Sequence, residues 1–434
     1  MTPRLIIGLC VAVFAACGGG EGSQGGGGDL PAGAEVVDTT VNPDVPAGPD
    51  TAPADLPSVD TDPDPGCAGD FCAAGPEHAP DPAQWGPFPV GVTTTSLDLY
   101  DHEGHPRTIR IEIWYPTTDE YRDGPFEAID FYEDAPEDLK PLVEQYKDQL
   151  PNIEVQVTRE TPPRRGDGPY PLVIFSHGAY GIRFQSVFYT VPLASHGYVV
   201  ASIDHSGNVL YDLLAADGYN LDDMILSALD RPYDAIMTTT LMTTRNETPG
   251  DLLEGMILPE AIGISGHSFG GFTSLLTSML DPRIKAAVPQ SPASGFLGVM
   301  GYDLADFPIP VMLQGSTLDG TLDPKVELTP AYAKLPAPKF YFELITGGHF
   351  TYSDICRLDL VYIADSLGIE GADNALDDGC AEYNIPTAVA HPIINQFAIG
   401  FFNYTLRGST DSLKYFDAAA AAQYADELVY QSEM

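Results

Sequence analysis

Positive charge is scarce in this sequence: 20 Lys and Arg stand against 62 Asp and Glu in 434 residues, a formal net charge of −42. No Lys or Arg lies between Arg4 and Arg107, and residues 18–82 carry 13 acids. Such a chain repels nucleic acid and anionic head groups, so neither is expected as a partner. Long apolar runs are also missing. The stretch Leu5–Phe14, about ten residues, is too short to span a bilayer. Cysteine is limited to six residues, and no His or second Cys pair stands at zinc-ligand spacing, so no metal or cofactor is expected.

What the N-terminus does hold reads as an export signal over residues 1–17: Arg4, the apolar core, and Phe14-Ala15-Ala16-Cys17 in the pattern of a lipobox. Cys17 would then be lipidated and anchor the chain to a membrane. Gly18, with no Asp after the cysteine, points to an outer-membrane or cell-surface destination; plain secretion is the alternative. Residues 18–82 are rich in Gly, Pro, Asp, Ala and Thr, a composition that buries too little apolar surface to offset chain entropy, and read as a disordered tether. Four cysteines remain outside the signal. They allow three pairings, of which sequence proximity in an oxidising compartment favours Cys67–Cys72 and Cys356–Cys380.

From about residue 83 the pattern is globular. Val92–Tyr100 and Thr108–Tyr115, the latter alternating Ile109, Ile111 and Ile113 with Arg110 and Glu112, predict an antiparallel hairpin at a sheet edge. Residues 117–168 interrupt with charges and prolines and predict an insertion over the sheet end, with a helix around Glu137–Gln149. Apolar runs at 172–175, 198–203, 261–265, 286–289, 311–314 and 340–345 then alternate with helical segments at 185–195, 232–244, 269–280, 324–334 and 393–405. Near-continuous apolar strands between helices imply a mostly parallel sheet of about eight strands, covered on both faces. One α/β domain over 83–434 is the expectation.

The chemistry gathers around Gly266-His267-Ser268-Phe269-Gly270, a Gly-x-Ser-x-Gly between an apolar run and Phe272, Leu275, Leu276, Met279 and Leu280 at helical spacing. Strand, sharp turn and helix in that order make a nucleophile elbow. In open parallel sheets the active site forms at the carboxyl ends of the strands. There, Asp319 follows the run 311–314 and His349 follows 340–345. Ser268, Asp319, His349 is the chain order of α/β hydrolases. His349 would take the serine proton and Asp319 would orient the imidazole; Asp323, four residues on, is the alternative acid. Backbone N–H groups of Phe269 and of Ala179, in Phe175-Ser176-His177-Gly178-Ala179-Tyr180-Gly181, are the expected oxyanion donors. Tyr180 and His267 are the expected substrate contacts.

Several stretches together resemble the secreted platelet-activating-factor acetylhydrolase and bacterial predicted dienelactone hydrolases: Gly86-Pro87-Phe88-Pro89-Val90-Gly91, Trp114-Tyr115-Pro116, Phe175-Ser176-His177-Gly178, Leu193-Ala194-Ser195-His196-Gly197-Tyr198, the elbow, and Lys285-Ala286-Ala287-Val288. The likeness implies an α/β-hydrolase fold and a metal-free serine esterase acting on short-chain or phospholipid acetyl-type esters. The same blocks are similar to bacterial cutinases and polyester hydrolases, in which a Trp usually stands where this chain has Ala293. A reading of another class, a surface-anchored binding lipoprotein on an inactive scaffold, would leave Ser268, Asp319 and His349 without purpose.

Overall fold

The computed structural model describes residues 80–144, 147, 152–215, 221–357 and 373–434. The expected signal, lipidated Cys17, nearly all of the tether and the Cys67–Cys72 pair lie outside the described residues.

The chain folds around a ten-stranded sheet in the order β12-β11-β10-β9-β8-β6-β7-β2-β1-β5. Its parallel centre comprises β6 (Tyr170–Ser176), β7 (Val199–Asp204), β8 (Ile257–His267), β9 (Ile284–Gln290), β10 (Val311–Ser316) and β11 (Lys339–Leu344). The expected hairpin is β1 (Val90–Tyr100) with β2 (Pro106–Pro116), and β2 joins the centre antiparallel to β7. This is the α/β-hydrolase arrangement. The sheet exceeds the expected eight strands by one at each edge. Short β5 (Val157–Arg159) pairs parallel to β1, so the hairpin lies one strand in from the edge, and β12 (Leu428–Glu433) pairs antiparallel to β11. Neither carries an apolar run, because each buries only part of its length against the sheet.

Successive residues of the central strands face opposite helix layers, which is why these runs are apolar throughout. Val173, Phe175, Val288, Met312 and Phe342 pack with α1 (Val187–Ser195) and α5 (Thr387–Arg407). Leu172, Ile174, Ile264, Ala287 and Leu313 pack with α2 (Leu221–Glu247), α3 (Phe269–Leu280) and α4 (Leu328–Lys334). Pro232 reads as a first-turn proline, yet α2 runs through it. Met224 and Ala228, two turns and one turn earlier, are buried in the same core and hold the helix there.

The insertion forms a separate two-stranded ribbon, β3 (Glu127–Asp130) with β4 (Asn152–Val155). Of the helix expected around Glu137–Gln149, Lys140–Val143 is helical, and part of the rest lies outside the described residues. Buried charge ties the insertion to the sheet. Arg183 pairs with Glu112 of β2 (2.9 Å), Asp204 of β7 (2.7 Å) and Asp134 of the insertion, while Arg110 reaches Asp134 (2.7 Å). Arg183, Glu112, Asp134 and Arg110 line a cavity of about 230 Å³ between the insertion and β1–β2.

Cys356 and Cys380 form a disulfide closing a loop of 24 residues, with Cα atoms 5.2 Å apart. Chain-entropy arguments assign such a loop about 3 kcal/mol. Replacing both cysteines by Ser is expected to lower unfolding free energy by about that amount, read from urea unfolding curves extrapolated to water.

Candidate active site

The elbow is built by crowding. At the end of β8, Ser268 adopts φ 58° and ψ −117°, a conformation that L-residues rarely take and that surrounding structure must enforce. A Cβ at Gly266 would sit 2.5 Å from the Gly270 carbonyl oxygen and 2.6 Å from that of Ser176; one at Gly270 would overlap the Ser176 carbonyl outright. Only glycines let β8, α3 and the end of β6 meet. The Ser268 N–H then donates to Gln290 of β9 (2.8 Å), and its carbonyl accepts the N–H groups of Gly271, Phe272 and Ala293. The backbone is thus held on both sides of the hydroxyl.

Asp319 and His349 follow β10 and β11 as expected, and the structure brings them together. His349 Nδ1 lies 2.9 and 3.1 Å from the two Asp319 oxygens, with both residues buried. Asp319 Oδ1 also accepts the N–H groups of Thr321 (3.1 Å) and Leu322 (2.7 Å), which fixes the carboxylate in its turn. A carboxylate so placed calls for the proton on Nδ1 and makes Nε2 the basic nitrogen. Burial alone would lower the His349 pKa, but the charge and hydrogen bond of Asp319, with the charge of Asp378, raise it above the usual 6.5. Asp323, the alternative acid, instead accepts the N–H of Lys325 (2.9 Å) in the turn before α4.

His267 departs from its expected role as a substrate contact. It is 2 % exposed and both ring nitrogens are engaged: Nε2 meets the His349 carbonyl (3.0 Å) and Nδ1 meets Gln185 Nε2 (2.8 Å). A carbonyl only accepts, so Nε2 carries the proton and Nδ1 accepts from the amide. Gln185 Oε1 in turn accepts the Gly178 N–H (2.9 Å). One chain of hydrogen bonds therefore links the loop after β6, the elbow and the loop after β11. Burial, then the neighbouring charge of His349, pushes the His267 pKa well below its usual value, which keeps the ring neutral. Sequence reasoning missed Gln185, because an amide seven residues past Gly178 carries no motif.

The loop after β6 turns at Gly178–Gly181, where the Gly181 N–H donates to the Gly178 carbonyl (3.1 Å). Ala179 and Tyr180 occupy the corners, with Tyr180 at φ 51°. A Cβ on Gly178 would lie 3.3 Å from Ser268 Cβ, so this turn approaches the elbow as closely as backbone allows. The turn's own hydrogen bond does not use the Ala179 N–H, and the Phe269 N–H stands at the first position of α3, where no intrahelical carbonyl reaches it. Tyr180 is buried beside this turn.

A second Ser–His–Asp set lies beneath the loop. His205 Nε2 is 3.1 Å from Ser176 Oγ and its Nδ1 is 2.8 Å from Asp234, while its N–H donates to His177 Nε2 (3.2 Å). All of these residues are fully or almost fully buried, so no substrate meets them. Burial raises Asp234 to about 6 against the opposing pull of Arg107. Arg231 completes the support through the His177 carbonyl, Asn208 and Thr273. Among the described residues one trio, Asp101, Glu103 and His105 in the β1–β2 turn, brings possible metal-ligand atoms within 4.8 Å, mostly exposed and away from the elbow in sequence.

Comparison with known proteins bears out the resemblance read from the sequence. The family model of platelet-activating factor acetylhydrolase, isoform II, matches residues 74–211, and that of PET hydrolase-like proteins matches residues 172–360. The chain is 24 % identical over 188 residues to cutinase est2 of Thermobifida alba, covering 43 % of this chain and 55 % of that protein. It is 24 % identical over 253 residues to the platelet-activating factor acetylhydrolase of Cavia porcellus (50 % and 56 %), and 26 % identical over 192 residues to a bis(hydroxyethyl) terephthalate hydrolase of Streptomyces coelicolor (44 % and 54 %). The chain thus spans about half the length of these relatives. A ferulic acid esterase from Streptomyces cinnamoneus shares the fold, with a TM-score of 0.53 and 22 % identity over 74 % of this chain and 91 % of that one.

Replacing Gln185 by Leu leaves His267 Nδ1 and the Gly178 N–H without their partner. The variant is expected to lose about 1–3 kcal/mol of stability in denaturant titrations.

Proposed function

We propose that this chain is an exported serine carboxylic-ester hydrolase. The reading is carried by a strained, elbow-held Ser268 and a buried His349–Asp319 couple, all following strands of the same parallel sheet at their carboxyl ends. In this mechanism Ser268 Oγ attacks the ester carbonyl and His349 Nε2 takes its proton. Asp319 holds the Nδ1–H and stabilises the imidazolium that forms. The N–H groups of Phe269 and Ala179 stabilise the oxyanion. His349 then protonates the departing alcohol, and water, activated by the same imidazole, releases the acid from the acyl-serine.

Short-chain and phospholipid acetyl-type esters are the substrates we favour. Ala293 is buried, its N–H bonded to the Ser268 carbonyl (3.2 Å), so position 293 itself supplies no aromatic ring to a polymer-binding cleft. Polyester hydrolysis is the second reading, and the PET hydrolase-like match over the elbow and triad strands favours it. Export rests on the lipobox pattern at Phe14–Cys17, which would place the enzyme on a lipid tether at the cell surface, and accords with the Cys356–Cys380 disulfide. No helix among the described residues is long and apolar enough to cross a membrane.

A fluorophosphonate probe is expected to label Ser268 in the folded protein and to lose reactivity in a His349→Ala variant; labelling that survives that change removes the catalytic reading. Ser268→Ala should cut ester turnover on the order of a million-fold, and Asp319→Asn about ten-thousand-fold. A panel of 4-nitrophenyl esters from acetate to palmitate, set beside polyester film, ranks the two substrate classes.

Because His349 must be neutral to accept a proton and its pKa is raised, kcat/KM should fall as pH drops through a value above 6.5. A pH–rate profile on a soluble ester checks it: an acid limb below 6.5 would contradict the Asp319–His349 electrostatics.

A further inference from the structure

We propose that Asp378 is a second positioning carboxylate of this site, locking the loops of Asp319 and His349 to each other. The inference rests on the reading of Ser268, Asp319 and His349 as catalytic. Asp378 Oδ1 accepts the N–H of His349 (2.8 Å) and the N–H of Gly320 (3.1 Å), while Oδ2 accepts the hydroxyl of Thr321 (2.6 Å). One carboxylate therefore grips the base through its own backbone and the acid through the two residues that follow it. Thr321 is also one of the two backbone donors to Asp319, so the two carboxylates share a turn.

The surroundings over-determine where Asp378 sits. It lies where the segment Asp373–Cys380 leaves helical geometry, at φ −82° and ψ 57°, followed by Gly379 at φ 130°. A Cβ on Gly379 would stand 2.7 Å from the Thr351 nitrogen, and one on Gly348 would overlap the backbone of Asp378 and Gly379, so the two segments touch backbone to backbone. Asn384 binds the N–H groups of Gly379 (3.2 Å) and Ala381 (3.0 Å) and donates to the Thr346 carbonyl (3.0 Å) just before His349. Two residues beyond Asp378, Cys380 is bonded to Cys356, which follows the short turn begun by His349.

The position matters to the chemistry as well as to the fold. The charged groups facing His349 from other elements are Asp319 and Asp378, with the neutral His267 ring tilted against it at 4.6 Å between ring centroids. An imidazolium forming during turnover thus meets two negative charges, one through Nδ1 and one beside its backbone.

The test uses the full chain with Asp378→Asn and Asp378→Ala. The amide oxygen of Asn still accepts the His349 and Gly320 N–H groups but carries no charge; Ala removes both. Asp378→Ala is expected to lower kcat on a soluble 4-nitrophenyl ester by about ten- to a hundredfold, with KM changed far less. Asp378→Asn should lose less and move the acid limb of kcat/KM to lower pH. NMR titration of the His349 imidazole, wild type against Asp378→Asn, should show the same downward displacement whether or not an ester is turned over. A merely structural aspartate would reduce the folded fraction without moving either titration. Unmoved titrations in Asp378→Asn overturn the proposal, and Asp378→Asn decides alone should Asp378→Ala not fold. A wild type inert to every ester would overturn the catalytic reading instead, and the His349 titration would still judge Asp378.

Discussion

The site depends on one steric fact: the carbonyl of Ser176, at the end of β6, lies against Gly266 and Gly270. That contact sets how close the loop after β6 comes to the elbow, and so where Gly178 and Ala179 stand relative to Ser268. Repulsion of this kind is short-ranged and stiff. Hydrogen bonds can then finish the arrangement without having to create it. Gln185, His267, Arg231 and His205 all act on backbone that close contact has already placed.

The sequence was legible wherever a pattern repeats or a motif carries its own geometry. Apolar runs of the parallel strands and the helical spacing after Ser268 mark elements buried on both faces or on one stripe, and these recur in the structure with modest changes at their ends. Glycines of the elbow declare a backbone contact directly. Asp319 stands just after its strand while Asp323 precedes Pro324 at a helix start, an order that favours Asp319, and the structure sets Asp319 against His349. What stayed hidden was contact between residues far apart in the chain. Gln185 pairs with His267 82 positions away, and Asp378 reaches His349 from 29 positions on. No local periodicity encodes such pairs. The edge strands were missed for a different reason: β5 has three residues and β12 turns most of its side chains to solvent, so neither shows a buried pattern.

His267 illustrates how a motif position can mislead. Its place before the nucleophile suggested a side chain facing substrate, but alternation along an extended strand end turned the ring toward the neighbouring loop. There it found an amide and a carbonyl and became a neutral spacer between the base and the loop after β6. Tyr180, Ser291 and Thr346 share positive φ values with Ser268, and all four lie just beyond the carboxyl ends of central strands. Backbone strain is concentrated at the rim where the chemistry would occur.

The arginine enclosed by Glu112, Asp134 and Asp204 has a consequence for the exterior. In a chain with 20 basic residues, Arg183 and Arg231 are wholly interior, and Arg107 and Arg110 are turned toward internal partners. These cations are enclosed together with Glu112, Asp134, Asp204 and Asp234, so burial withdraws carboxylates as well as bases and the solvent-facing shell keeps the acidic excess of the residue count. Such a particle disperses by self-repulsion and is steadied by dissolved ions, which screen its carboxylates from one another while leaving the enclosed pairs untouched.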